Sequence, residues 1–139
     1  HASQQHDKTK VGVEVLNYLV SRPYVNMTLE MMDKVGLKVT EPEANHFEIT
    51  PGRSSASDIH VEIDASGMSY ILTAAVLTQT TVEISGISKK SAQGDVGLVS
   101  IYEKMGCKVE EKGDSIIFTG APISGITVDM ETMPDVAPS

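Results

Sequence analysis

The sequence predicts an α/β protein built from a repeated strand-and-helix unit, and three observations carry that prediction. A seven-residue phrase occurs twice, as Asp33-Lys-Val-Gly-Leu-Lys-Val39 and Glu103-Lys-Met-Gly-Cys-Lys-Val109, 70 positions apart. The likeness extends upstream, where Val13-Glu14-Val15 answers Val82-Glu83-Ile84 and Ser21 answers Ser91. Downstream, Phe47-Glu-Ile-Thr50 answers Ile116-Ile-Phe-Thr119. A duplicated supersecondary unit fixes element types and their order together. The apolar spacing switches between the two-residue period of strands and the helical period within both copies. Composition is that of a soluble globular protein, 40% apolar and 22% charged.

Taken in order, the first ten residues are a polar lead-in. Val11 to Val15 alternates as a half-buried strand does. Ser21-Arg-Pro-Tyr24 is a turn, with Pro23 suited to the first turn of the helix that follows. That helix runs from about Tyr24 to Val35 with Val25, Leu29 and Met32 on one face, and Gly36 stops it. Leu37 to Thr40 and His46 to Thr50 form a hairpin. Pro51 to Ser57, small and polar with proline and glycine, suggests a lobe boundary there or shortly after. Ile59 to Ile63 is a strand, and Asp64 caps a helix reaching about Thr78. Thr80 to Ile84 is a strand rich in β-branched residues. The Ser88–Asp95 loop leads to a helix carrying Leu98, Ile101, Tyr102 and Met105, ended by Gly106. Lys108 to Glu111 and Ser115 to Thr119 close a second hairpin. The complete unit is therefore βαβαββ; residues 11–50 are the second half of one, and Ile126 to Met130 begins another. Because each unit must bury a face on a neighbour, the chain reads as an excerpt of something longer. Its start at His1 rather than Met suggests a processed, tagged or excerpted chain.

Net charge is −8, from 19 acidic against 11 basic residues, and Arg22 and Arg53 are the two arginines. Nucleic acid is not an expected partner, since binding its backbone takes a concentrated Lys/Arg face. The longest mostly apolar run, Tyr70 to Leu77, is far short of the ~20 residues of a membrane span. No secretory leader is evident. One cysteine, Cys107, excludes an internal disulfide and favours a cytoplasmic location. It follows a glycine at a strand start and reads as a small core residue rather than a nucleophile. His1, His6, His46 and His60 have no metal-ligand spacing, so neither metal nor cofactor is expected. There is no phosphate-binding glycine loop.

The two copies differ most where a helix begins. Ser21-Arg-Pro-Tyr24 presents a hydroxyl, a guanidinium and a phenol before a helix N-terminus, whereas Ser91-Ala-Gln-Gly-Asp95 is unlike it. Free N–H groups and the positive dipole end favour an anion there. Local sequence leaves a capping serine with a proline turn equally open. Met133-Pro-Asp135 is predicted to open the third unit's helix. Asp135 either complements that helix's dipole or supplies a carboxylate that binds hydroxyls and accepts a proton.

Five phrases, in order, resemble the 5-enolpyruvylshikimate-3-phosphate synthase (3-phosphoshikimate 1-carboxyvinyltransferase) family. They are Val20-Ser-Arg-Pro-Tyr-Val-Asn-Met-Thr28, Asp64-Ala-Ser-Gly-Met-Ser-Tyr70, Ser91-Ala-Gln-Gly-Asp95, Glu103-Lys-Met-Gly106 and Val128-Asp-Met-Glu-Thr-Met-Pro-Asp-Val-Ala137. The related UDP-N-acetylglucosamine enolpyruvyl transferases share the fold but are not expected to carry the first two in this form. Within the matched part, Gly67 stands where the family usually has serine.

The resemblance implies the inside-out α/β prism of enolpyruvyl transferases, truncated here. Residues 1–60 would end one lobe, and residues 61–139 would hold the other lobe's first unit and the start of the next. It also implies transfer of the enolpyruvyl group from phosphoenolpyruvate to the 5-hydroxyl of shikimate 3-phosphate, without metal, in aromatic amino-acid biosynthesis. On that pattern Ser21 binds the 3-phosphate, Tyr24 lines the same site, and Asp135 binds ring hydroxyls and accepts the proton of the attacking one. The family's N-terminal lysine-serine and arginine cluster, its serine-serine-glutamine triplet and its later glutamate and arginine/lysine motifs have no counterpart in this sequence. Two phosphorylated substrates need several aimed cations. The chain is therefore expected to be inactive alone, with the remaining parts of the same enzyme as its partner. The alternatives are a non-catalytic fragment or module that binds shikimate 3-phosphate, a related UDP-N-acetylglucosamine enolpyruvyl transferase, and a purely structural piece.

Overall fold

The computed structural model describes residues 10–53 and 58–139, so the polar lead-in with His1 and His6, and residues 54–57 of the predicted boundary, lie outside the described residues. The described residues form an α/β structure with three α-helices and two three-stranded antiparallel sheets. Two compact units are distinguished. One comprises residues up to Val20 and Val25–His60; the other comprises Ser21–Tyr24 and Val61–Ser139. The first turn of the first helix thus groups with the second unit.

In the first unit, strand β1 (Val11–Glu14) pairs with β3 (His46–Thr50), which pairs in turn with β2 (Lys38–Glu43). Helix α1 spans Arg22–Lys34. The hairpin is tighter than the sequence suggested. β2 continues past Thr40 to Glu43 through an irregularity in register, leaving Ala44 and Asn45 to turn the chain. Asn45 takes φ 63°, a left-handed conformation that asparagine tolerates better than most residues. Phe47 is the one buried apolar residue of this unit among those described. Val11 and Val13 of β1 are exposed, so the expected half-buried strand has no covering layer among the described residues.

The second unit holds a continuous core. Helix α2 (Ala65–Thr78) contributes Ala65, Met68, Leu72, Ala75 and Val76; α3 (Gly97–Met105) contributes Leu98, Val99 and Tyr102. They pack on a sheet in which β4 (Thr81–Ser85) and β5 (Lys108–Lys112) flank a central β6 (Ser115–Thr119). Phe118 of β6 is fully buried, its ring 5.8 Å from that of Tyr102. Cys107 is a buried core residue, as its position at the strand start suggested.

The two sheets share one topology, with the first strand of each beside the third and the third beside the second. The repeated phrase is a helix stop. After α1, Gly36 N–H donates to Asp33 O and Leu37 N–H to Met32 O; after α3, Gly106 N–H donates to Glu103 O and Cys107 N–H to Tyr102 O. These are the paired bonds of a Schellman cap, and both glycines sit at positive φ, 82° and 124°. Strand register corrects the sequence alignment upstream. Val39 pairs with Ile49 and Val109 with Phe118, while Val11 pairs with Ile49 and Val82 with Phe118. Val11, not Val13, is therefore the counterpart of Val82. The offset of two residues preserves the alternation of faces, so hydrophobic pattern alone does not detect it.

Three predicted elements take another form. Ile59–Ile63 and Ile126–Met130 carry no regular secondary structure and pair into neither sheet, although Ile63 N–H donates one bond to Gly86 O. A strand is completed by its neighbour's ladder, and no described segment supplies one. The helix predicted at Met133-Pro-Asp135 is a single 3-10 turn, Pro134–Val136. Helix nucleation is costly, and Pro138 brings no N–H to extend the turn.

Candidate functional site

Four segments of the second unit converge on one phenol. Tyr24 lies in the first turn of α1, Ser66 near the start of α2, Asp95 in the 3-10 turn Gly94–Val96 that leads into α3, and Asp135 in the turn Pro134–Val136. The Tyr24 hydroxyl stands 3.1 Å from both carboxylate oxygens of Asp95 and 3.0 Å from Oδ2 of Asp135. Ser66 Oγ donates to Asp95 Oδ2 in a short contact. Each acid is pinned by its neighbour in sequence. Val96 and Val136 are buried in the core, so the turns that carry Asp95 and Asp135 are anchored by apolar contact.

The approach of these segments depends on Gly94. A Cβ at that position would lie 2.5 Å from the carbonyl oxygen of Thr132 and 3.0 Å from Cβ of Pro23. Only a residue without a side chain lets both flanking segments come that close. Gln93 beside it fixes the beginning of α2: its side-chain Oε1 accepts from Ala65 N–H at 2.8 Å, and its Nε2 donates to Ile63 O at 2.8 Å. Asp64 is the N-cap, its carboxylate accepting from Ser66 N–H at 3.0 Å, as the sequence predicted.

Asp95 is almost fully buried, with 3% of its surface exposed, whereas Asp135 is exposed. The phenol between them is held in its protonated form. Burial, then the hydrogen bond with Asp135 and the charge and hydrogen bonding of Asp95, push its ionisation well above the usual tyrosine range. A phenol has one proton to donate, so Asp95 and Asp135 compete for it.

Of the sequence-derived site residues, Tyr24 and Asp135 are brought into direct contact, across the separation at which the sequence left them. Ser21 belongs to the same turn as Tyr24, its carbonyl accepting from Tyr24 N–H at 3.1 Å. It adopts φ 57°, an uncommon backbone conformation for a side-chain-bearing residue. Sequence reasoning quoted Ser91–Asp95 as a matched phrase but gave Asp95 no role. The available signal was an acid placed beside a glycine just before an apolar helix.

A family model for EPSP synthase (3-phosphoshikimate 1-carboxyvinyltransferase) matches residues 7–139. The chain belongs to the EPSP synthase family. Among curated relatives, the 3-phosphoshikimate 1-carboxyvinyltransferase of Shewanella denitrificans is 39% identical over 132 residues, which cover 94% of this chain and 31% of that protein. The enzyme of the same name from Pseudoalteromonas atlantica is 36% identical over 96% of this chain and 31% of its own. A plant relative, the chloroplastic 3-phosphoshikimate 1-carboxyvinyltransferase of Arabidopsis thaliana, is 38% identical over 91% of this chain and 26% of its own. The chain thus spans about a third or less of the relatives it matches. Among the described residues, no helix of this family member is long and apolar enough to cross a membrane.

Proposed function

We propose that this chain supplies the shikimate 3-phosphate side of an enolpyruvyl-transfer site. The reaction moves the enolpyruvyl group of phosphoenolpyruvate to the 5-hydroxyl of shikimate 3-phosphate and releases phosphate. The observation that carries the proposal is the meeting of Tyr24 with Asp135, in a chain of this family. Ser21, before a 13-residue helix, would take the 3-phosphate where free N–H groups and the positive dipole end favour an anion. Tyr24 would line the same site. Asp135, exposed and hydrogen-bonded on one side, would bind ring hydroxyls and accept the proton of the attacking 5-hydroxyl.

The chain's charge argues that it does this as part of a larger protein. With net −8 and 11 basic residues, it has few cations to hold two phosphorylated substrates. The relatives extend well beyond it, and the remaining parts of the same enzyme would provide those cations. We assign residues 1–60 to the end of one lobe and 61–139 to the beginning of the other, in an inside-out prism of repeated βαβαββ units. The composition of α2 supports that arrangement. It carries no charged residue, and while one face fills the core, Tyr70, Ile71 and Leu77 are exposed on it. A helix apolar on all sides belongs in an interior. Ile59–Ile63 and Ile126–Met130, apolar at alternate positions, would find their ladders in the same larger assembly. A cytoplasmic location is proposed from the single unpaired cysteine.

Reconstitution tests the proposal. The chain alone should release no phosphate from phosphoenolpyruvate and shikimate 3-phosphate, and mixing it with the complementary parts of a family member should restore release. A mixture that assembles by sedimentation yet stays silent would overturn it.

A further inference from the structure

We infer that Asp95 is a positioning residue for Tyr24, holding the phenol so that it presents its oxygen to Asp135. The inference rests on the proposed function for its catalytic arm but on geometry alone for its placement. Asp95 offers both carboxylate oxygens to the Tyr24 hydroxyl at 3.1 Å, and it is the more buried of the two acids that face that hydroxyl. Its remaining described partner, Ser66, ties it to the first turn of α2. Asp95 is therefore fixed from two directions, by a hydroxyl at a helix start and by the adjacent buried Val96. Asp135, exposed in a short 3-10 turn, is fixed by Val136 alone among its own neighbours in that turn.

A buried acceptor anchored in this way holds a phenol in place. While both acids are ionised they share the one phenol proton, and the contact with Asp95 keeps the Tyr24 oxygen beside Asp135. When Asp135 takes the proton of a substrate hydroxyl, its new O–H donates to the phenol oxygen and the phenol O–H then donates to Asp95 alone. No proton leaves Asp135 in this arrangement, and Asp95 and the phenol keep their protonation states. Asp95 touches no substrate; it acts through Tyr24. Gly94 belongs to the same device, because it admits the Pro23 segment on one side and the Thr132 segment on the other.

Two measurements test the inference, and they fail separately. In the 139-residue chain, the ultraviolet titration of Tyr24 is read as the difference between the unsubstituted protein and Tyr24→Phe. Asp95→Asn, which keeps the size and removes the charge, should bring that titration down toward the ordinary tyrosine range while circular dichroism stays unchanged. A Tyr24 titration indifferent to Asp95→Asn in a folded chain would overturn the placement. In the reconstituted enzyme, Asp95→Asn and Tyr24→Phe should each raise KM for shikimate 3-phosphate about tenfold, as expected for losing a hydrogen bond to a charged group. The double variant should be no worse than the worse single one, because both remove one unit. Effects that multiply would show that Asp95 acts independently of Tyr24 and would refute the positioning role. Failure of the proposed reaction would silence the second measurement and leave the first intact.

Discussion

Tyr24 and Asp135, 111 positions apart in the chain, meet through a hydrogen bond of 3.0 Å. Nothing local to either residue requires it. The contact exists because the first turn of α1 and the turn Pro134–Val136 belong to one compact unit with Asp95 and α2. It brings the two acids and the phenol together, and it has consequences for stability.

The first consequence is an alkaline one. The folded chain holds the Tyr24 proton more tightly than an unfolded chain does, whose phenol ionises near pH 10. Tyr24 thus contributes fully below about pH 10, and the contribution is lost as pH rises from there through the higher folded value. The difference in urea midpoint between the unsubstituted chain and Tyr24→Phe should be constant up to about pH 10 and should shift against the unsubstituted chain above it. A pH-independent difference to pH 11.5, about 1.5 units above the ordinary phenol value, would show that the phenol proton is not held in this way.

The helix stops differ in their tolerance of a side chain. Gly36 at φ 82° lies near the left-handed region, and Gly106 at φ 124° lies well beyond it, with a built Cβ 3.3 Å from Pro122 O. Gly36→Ala should cost about 1–2 kcal/mol of the stability of its unit, and Gly106→Ala more. Hydrogen exchange of α1 and α3 amides, read separately, checks the order. Equal costs would mean that the two caps are conformationally equivalent.

Gly120 is a packing requirement rather than a conformational one. A Cβ there would lie 2.0 Å from Ala75 O and 2.7 Å from Val76 N, against the backbone of α2. Backbone cannot move aside as a flexible side chain can. Gly120→Ala should destabilise the second unit by about 3 kcal/mol, the upper part of the usual overpacking range, seen as a lower thermal midpoint. A change below about 0.5 kcal/mol, the scale of an ordinary surface substitution, would contradict this packing.

What the sequence made legible was what it specifies locally. The phrase around Gly36 and Gly106 repeats because a Schellman cap is written in five or six consecutive residues, and both caps formed. Asp64 capped its helix for the same reason. Ile59–Ile63 and Ile126–Met130 have strand-like sequences and no ladder, since pairing depends on a neighbour and not on the segment itself. The two-residue offset between Val11 and Val13 was invisible because a shift of two keeps every side chain on its face. Asp95 was passed over because its burial arises from partners 29 and 71 positions away, Ser66 and Tyr24. Ser21, Tyr24 and Asp135 came from ordered motifs, and their local sequence left structural readings open for both Ser21 and Asp135.

The measurement that bears most directly on the proposed role is the turnover of Asp135→Asn in the reconstituted enzyme, with shikimate 3-phosphate binding followed in parallel. The substitution keeps the size of the side chain and removes its ability to accept a proton. If Asp135 takes the proton of the attacking hydroxyl, phosphate release should fall by roughly a hundredfold or more, while shikimate 3-phosphate still binds. Turnover within a few-fold of the unsubstituted protein would contradict the assignment.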